Sequence, residues 1–244
     1  MPGCVFCGSQ EKLTGEHAFP DWLRRAVGDG GAHYGRRTPD GEINRWQQIA
    51  YSSTVNDVCE GCNSRWMSDI ENSVRNLILP MIRSGLAITM YSGTMKSIAT
   101  WVELRSLVLS RVTTQDDLPQ NLYADVERTH AVGHKAHVWL GKLEGTDERT
   151  AFFTGATLDI AGTQPDEPVG WVATMAIGKL VARMFTLFDD RDTGPVTHGR
   201  FEPYLLPIWP SRHIGAWPPK SLDLDGYREL SRTIPLVWFP QPVG

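Results

Sequence analysis

Long apolar runs are missing from this 244-residue chain, and so is any large excess of one charge. Its longest apolar stretches, such as residues 77–81 and 205–208, fall far short of the roughly 20 residues of a spanning helix, which excludes a membrane protein of that kind. A formal net charge of −4 with a pI near 6.0 excludes a general basic surface that wraps nucleic acid, so any DNA contact has to be local. No internal repeat or low-complexity segment is present, although Trp-Pro recurs at residues 209–210 and 217–218. The sequence does not open with a basic, then apolar, then small-residue leader, and a reducing cytoplasmic location is the expectation. With 41% hydrophobic and 21% charged residues, the chain can bury a sizeable core without covalent staples.

Cysteine is scarce, and its placement is the most informative feature of the sequence. The four residues fall into two identical pairs, Cys4-x2-Cys7 and Cys59-x2-Cys62, with none left over. Each pair can form a tight knuckle that turns two sulfurs toward one metal, so the four together supply a closed tetrahedral zinc site. Two disulfides are the alternative, and a reducing setting argues against them. The pairs lie about fifty residues apart, well beyond the 15–20 of a compact zinc ribbon, so the segment between them has to be a structured insertion. The N-terminal part has few apolar residues of its own, and zinc would contribute folding free energy on the order of 10 kcal/mol there.

Along the chain, residues 13–20 read as a short extended run closed by Pro20, and residues 21–27 as a short helix ended by Gly28. Residues 28–45, rich in glycine and charge, read as a mobile loop with a hairpin at Pro39-Asp40-Gly41. Residues 46–58 read as one strand returning to the second knuckle. After Cys62, the recurrence of Trp66, Ile70, Val74, Leu77 and Met81 predicts a helix until Pro80 disturbs it. A second helix is predicted over residues 95–112. Strands are predicted over 136–143, 151–160 and 168–176, a helix over 177–188, and extended segments over 204–210 and 236–240. Trp22 and Trp66 are expected in the core.

Between the cysteine pairs lies Glu16-His17, and Asn63 directly follows the last cysteine. Hydrolysis of a phosphodiester needs an activated water, a charge stabiliser and help for the leaving oxygen. A histidine, with an ordinary pKa of about 6.5, can take a proton from water. That makes His17 the candidate general base. Glu16 and Asn63 offer hard oxygen ligands for magnesium or another divalent cation such as manganese, leaving most of its coordination sphere to water and phosphate. Arg24, Arg25, Arg36 and Arg37 are the local candidates for DNA phosphate contacts. Simpler readings stand beside these: Asn63 as a helix N-cap, Glu16-His17 as an exposed strand pair, the arginines as solvated dipeptides, and Glu71 as a salt-bridged helix residue able to support the site. His130, His134 and His137 read as loop and strand residues.

On Cys4, Cys7, Glu16, His17, Cys59, Cys62 and Asn63, the chain resembles the HNH, or His-Me finger, endonucleases of the zinc-knuckle type. Residues 16–23 and 58–71 together resemble a group of bacterial HNH endonucleases, over about the first third of the chain. The resemblance implies an acidic-His pair on a β-hairpin and a helix whose first residue holds the catalytic metal. It departs in two places. The asparagine that braces the family's hairpin has to be replaced by Thr54 or Asn56, with Asn56 the better chemical candidate. Glu16 also stands where aspartate is commoner. The expectation is thus an α+β protein: a treble-clef-like ββα-metal finger with structural zinc over residues 1–80, a helical connector over 81–115, and a mixed α+β C-terminal domain over 116–244. Its expected activity is metal-dependent cleavage of DNA. A non-catalytic zinc module for nucleic acid or protein, a homodimer, and a regulatory ligand or partner at the C-terminal domain are left open.

Overall fold

The computed structural model describes residues 3–27, 31–37, 43–49, 51–113, 118–158, 168–189, 194–210 and 214–237, with 31–37 and 43–49 described through their backbone. These residues form a mixed α+β fold. Strand β1 (Leu13–His17) leads through helix α1 (Asp21–Val27) to β2 (Gly31–Arg37), β3 (Ile43–Ile49) and β4 (Thr54–Cys59). β1 pairs antiparallel with β4, Leu13 opposite Cys59 and His17 opposite Thr54. Gly15 alone faces Asn56 and Asp57, so the ladder carries a bulge beside the Glu16-His17 pair.

Two expectations need correction in this segment. Residues 31–37 and 43–49 form an antiparallel ribbon, β2 with β3, in place of the expected mobile loop; its register, Arg37 opposite Ile43, agrees with the expected hairpin at Pro39-Asp40-Gly41, residues that themselves lie outside those described. The expected single strand over residues 46–58 is two strands with different partners, broken near Tyr51 at φ 61. A positive φ is rare for a bulky side chain. Tyr51 is held in place by burial and by its hydroxyl, which donates to Glu148 O at 2.6 Å and Thr150 O at 3.1 Å.

From Cys59 the chain runs into α2 (Glu60–Cys62), a π-helical turn (Asn63–Met67) and α3 (Ser68–Ser84), then β5 (Ile88–Met90), α4 (Ser92–Thr113) and α5 (Gln120–Thr129). The expected apolar stripe of α3 is buried at Ile70, Val74, Ile78, Met81 and Ile82. Pro80 does not end this helix. It sits in the last turn, and Gly85 at φ 67 terminates it in the left-handed conformation that glycine tolerates. In α4 every residue from Trp101 to Ser110 is buried, because the helix packs against α3 on one side and the main sheet on the other.

The remaining strands are β6 (His137–Leu143), β7 (Ala151–Leu158), β8 (Gly170–Ile177), β9 (Leu180–Leu187), β10 (Val196–Thr197), β11 (Leu206–Trp209), β12 (Gly215–Trp217), β13 (Ser221–Leu222) and β14 (Leu236–Val237); α6 (Leu224–Arg232) precedes the last. Six of them build one sheet in the order β11-β6-β9-β8-β7, with β13 parallel to β6 along the edge that β11 also uses. The helix expected over residues 177–188 is strand β9, turned back on β8 through Gly178 at φ 53 and Lys179. Both strands are buried along their whole length, so their apolar run carries no alternation to mark a strand. One face of the sheet joins the core that contains the cysteines, Trp22, Trp66 and α4, and the other packs under α6.

Candidate functional site

Two knuckles bring the four sulfurs together. In the first, Gly8 N donates to Cys4 O at 2.8 Å, with Gly8 at φ 70. In the second, the Cys59 sulfur caps α2 by accepting from Cys62 N at 3.4 Å. The β1–β4 ladder then sets one knuckle on the other, with Val5 N donating to Asp57 O at 2.8 Å. All four sulfurs lie within 4.8 Å of one another; Cys4–Cys62 measures 3.8 Å and Cys7–Cys59 3.6 Å. A disulfide needs about 2.05 Å, whereas the edge of a tetrahedron with zinc–sulfur bonds of about 2.3 Å is about 3.8 Å. The cluster could therefore hold a metal, and its soft donors and spacing fit zinc. Burial pushes the Cys62 thiol up, with Cys7, Cys4 and Cys59 adding to it; burial likewise pushes Cys7 up, with Cys59 and Cys4 adding to it and Ser9 and Cys62 opposing it. Burial opposes ionisation of Cys4 too, but backbone bonds at Cys7, Cys59 and Phe6 outweigh it and lower that thiol. A cation among them would favour all four thiolates.

Glu16 and His17, adjacent on β1, meet different surroundings. Glu16 is 5% exposed and pairs through Oε1 with Arg105 Nη2 at 2.9 Å. Arg105 is 0% exposed, pairs with Glu71 at 3.2 Å, and donates from Nη1 to the His17 carbonyl at 2.9 Å. Burial raises the Glu71 pKa, Arg105 pulls it down, and Glu16 and Asp21 push it up. The His17 imidazole is half-buried and makes no hydrogen bond or ion pair among the described residues.

Asn63 opens the π-helical turn and donates from Nδ2 to Thr14 Oγ1 at 3.1 Å, tying the helix start to β1. It is not the N-cap of the helix, since Cys59 fills that position. Asn56 is exposed on β4 at the bulge, its Oδ1 3.5 Å from where a Cβ on Gly15 would sit. Thr54 stands directly opposite His17.

The candidate phosphate contacts are not bare cations. Arg24 and Arg25 both pair with Asp21 at 3.0 Å, Arg25 remaining largely exposed. The side chains of Arg36 and Arg37 lie outside the described residues. His134 sits in an exposed turn, His130 stacks on Trp66 with ring centroids 5.1 Å apart, and His137 stacks on Trp139. Among the described residues, the four cysteines form the one cluster of metal-ligating groups.

Arg105 lies within the helix expected over residues 95–112, and its place beside Glu16 and His17 was not foreseen. The signal was its charge: a cation in a run predicted to be buried requires an acidic partner. Comparisons of the chain with models of known protein families, with characterised proteins and with solved structures each returned no match.

Proposed function

We propose that the chain is a zinc-stapled nuclease that hydrolyses phosphodiester bonds in DNA, with His17 as general base. The observation that carries this reading is a partner-free, half-buried imidazole at the end of a strand fixed on both sides. The four-cysteine cluster anchors the start of the β1–β4 pair, and Arg105 grips the His17 carbonyl. Zinc bound by Cys4, Cys7, Cys59 and Cys62 would be structural, since four protein ligands close its coordination sphere. A cytoplasmic setting would keep the four thiols reduced.

In the proposed reaction, His17 takes a proton from a water molecule as the water oxygen attacks phosphorus. The bond from phosphorus to the leaving sugar oxygen breaks, and that oxygen collects a proton from solvent. A divalent ion would supply charge neutralisation at the phosphate. Asn63 Oδ1 accepts no hydrogen bond among the described residues and suits such an ion. The Glu16 carboxylate does not fit that role in this geometry, because Arg105 already holds it. Glu16 acts instead as a positioning residue, keeping Arg105 against the main chain of His17.

The same pairing favours a second reading, a zinc module that binds nucleic acid or protein without cutting it. The zinc-loaded chain, given magnesium or manganese, is expected to convert supercoiled plasmid to nicked circles. His17→Ala at unchanged zinc content is expected to slow this by about 10²–10⁴-fold. Equal cutting by the variant removes the base assignment. Binding without cutting by either protein selects the second reading.

A further inference from the structure

A second buried arginine lies in the main sheet, and no acidic side chain among the described residues pairs with it. Arg183, on β9, is 0% exposed. Its Nη1 donates to Thr174 Oγ1 at 2.8 Å and Leu230 O at 2.7 Å, and its Nη2 donates to Thr233 O. Each acceptor is neutral. Leu230 and Thr233 stand at the C-terminal end of α6, so the guanidinium caps that helix and meets the negative end of its dipole. Its Nε–H remains buried without a hydrogen-bond partner, and no carboxylate among the described residues pairs with it.

Two further side chains around Arg183 share this condition. His198 is 3% exposed with neither ring nitrogen hydrogen-bonded, and Tyr227 is 3% exposed with its hydroxyl unpartnered. Trp139 faces Arg183 across the β6–β9 ladder, and the His198 ring packs edge-on against Trp139 at 4.3 Å. Tyr227 lies one helical turn before Leu230, whose carbonyl receives Arg183. The guanidinium charge is felt at both neighbours. Burial, then Arg183 and His137, push His198 down to about 3; burial raises Tyr227 while Arg183 opposes it. Burial also lowers Arg183, to about 10.

Native interiors leave few polar groups unsatisfied, and a buried cation without a counter-charge costs more than an unmet hydrogen bond. Water could satisfy the Nε–H or the phenol, yet it would leave the charge unbalanced. A small anion meets both needs. We propose that Arg183, His198 and Tyr227 form a buried site for a small inorganic anion of halide or simple oxyanion size. The near-complete enclosure of all three side chains limits the occupant to that size.

The test uses the full zinc-loaded chain, refolded from denaturant in gluconate and then melted in gluconate, chloride, bromide, nitrate or phosphate at fixed ionic strength. For the preferred anion, Tm is expected to rise with the logarithm of concentration, by on the order of 5–10 °C at a 100-fold excess over Kd. Tyr227→Phe, which keeps the ring and removes the unpartnered hydroxyl, is expected to melt normally in gluconate and lose most of the rise. The same Tm in every salt, or the same rise in Tyr227→Phe, overturns the proposal. In crystals grown from bromide, an anomalous peak beside Arg183 Nε supports the site, and ordinary water density there overturns it.

Discussion

Arg105 and Arg183 are both fully buried, yet they are accommodated in different ways. Arg105 lies between two carboxylates, Glu16 and Glu71, and its remaining bond clamps the main chain of His17. Arg183 has only a hydroxyl and two helix-end carbonyls, beside a histidine and a tyrosine that lack partners. The N-terminal region is thus shaped by ion pairs and a four-sulfur cluster, with the His17 imidazole at its edge making no hydrogen bond or ion pair among the described residues. The sheet is shaped by burial on both faces of β8 and β9, with an unbalanced charge beneath α6. Polar groups that look alike in sequence are therefore treated differently: each arginine keeps a buried Nε–H without a hydrogen-bond partner, but one cation is paired with carboxylates and the other meets only neutral acceptors.

If the two regions differ in this way, metal removal should separate them. Chelation is expected to cost on the order of 10 kcal/mol where the cysteines act. Hydrogen exchange should then show protection lost in Leu13–His17 and Thr54–Cys59 and retained in β8 and β9. Simultaneous loss everywhere would show that the distinction is not energetic.

The next largest effect concerns the balanced cation. Arg105→Met leaves Glu16 and Glu71 facing each other without a counter-charge, and is expected to cost about 3–5 kcal/mol in denaturant unfolding. Replacing all three charged residues by apolar ones of similar volume should recover much of that loss. Should the triple variant be no better than the single one, the network is not what makes Arg105 necessary.

Glu103 lies two residues before Arg105 on α4 and provides a pH-dependent check. It is buried, accepts from Gly133 N at 2.7 Å, and is pushed up to about 7, first by burial, with that bond lowering it and Asp125 raising it. For an acid whose folded pKa is raised, the contribution to stability is complete below the unfolded value near 4.5 and is lost as pH rises through about 7. Glu103→Gln should match the wild type near pH 4.5 and exceed it at pH 8 by on the order of 3 kcal/mol. Parallel pH–stability curves for the two proteins would contradict the assignment.

In gluconate, with no small anion supplied, Arg183→Met is expected to cost less than Arg105→Met, about 1–3 kcal/mol, because it strands only neutral groups. A loss as large as that at Arg105 in gluconate would mean that Arg183 has a counter-charge other than an exchangeable small anion.

Much of the fold was legible where one face of an element is buried and the other is not. The stripe from Trp66 to Met81 gave α3, and strand β7, expected over residues 151–160, alternates between less and more exposed positions. Legibility failed where burial is two-sided, since the run through Val181, Ala182 and Met184 reads equally as helix or strand. It was partial at β2 and β3, where Pro39-Asp40-Gly41 pointed to a hairpin but the glycine-rich flanks hid the length of the ribbon, which is set by pairing rather than by propensity. Helix α6 went unread although Asp223 announces it, its Oδ1 accepting from Gly226 N at 2.7 Å. At the candidate site, spacing alone indicated the four-sulfur cluster. The fate of Glu16 could not be read, because its partner lies 89 residues away on a helix whose other buried residues are mostly apolar.

The account rests on four sulfurs sharing one zinc ion beneath the His17 strand. X-ray absorption at the zinc edge, on protein purified under reducing conditions, addresses that point without intermediaries. One zinc per chain with four sulfur neighbours at about 2.3 Å is the expected result. A zinc-free, folded protein, or a first shell containing nitrogen or oxygen in place of sulfur, would contradict it.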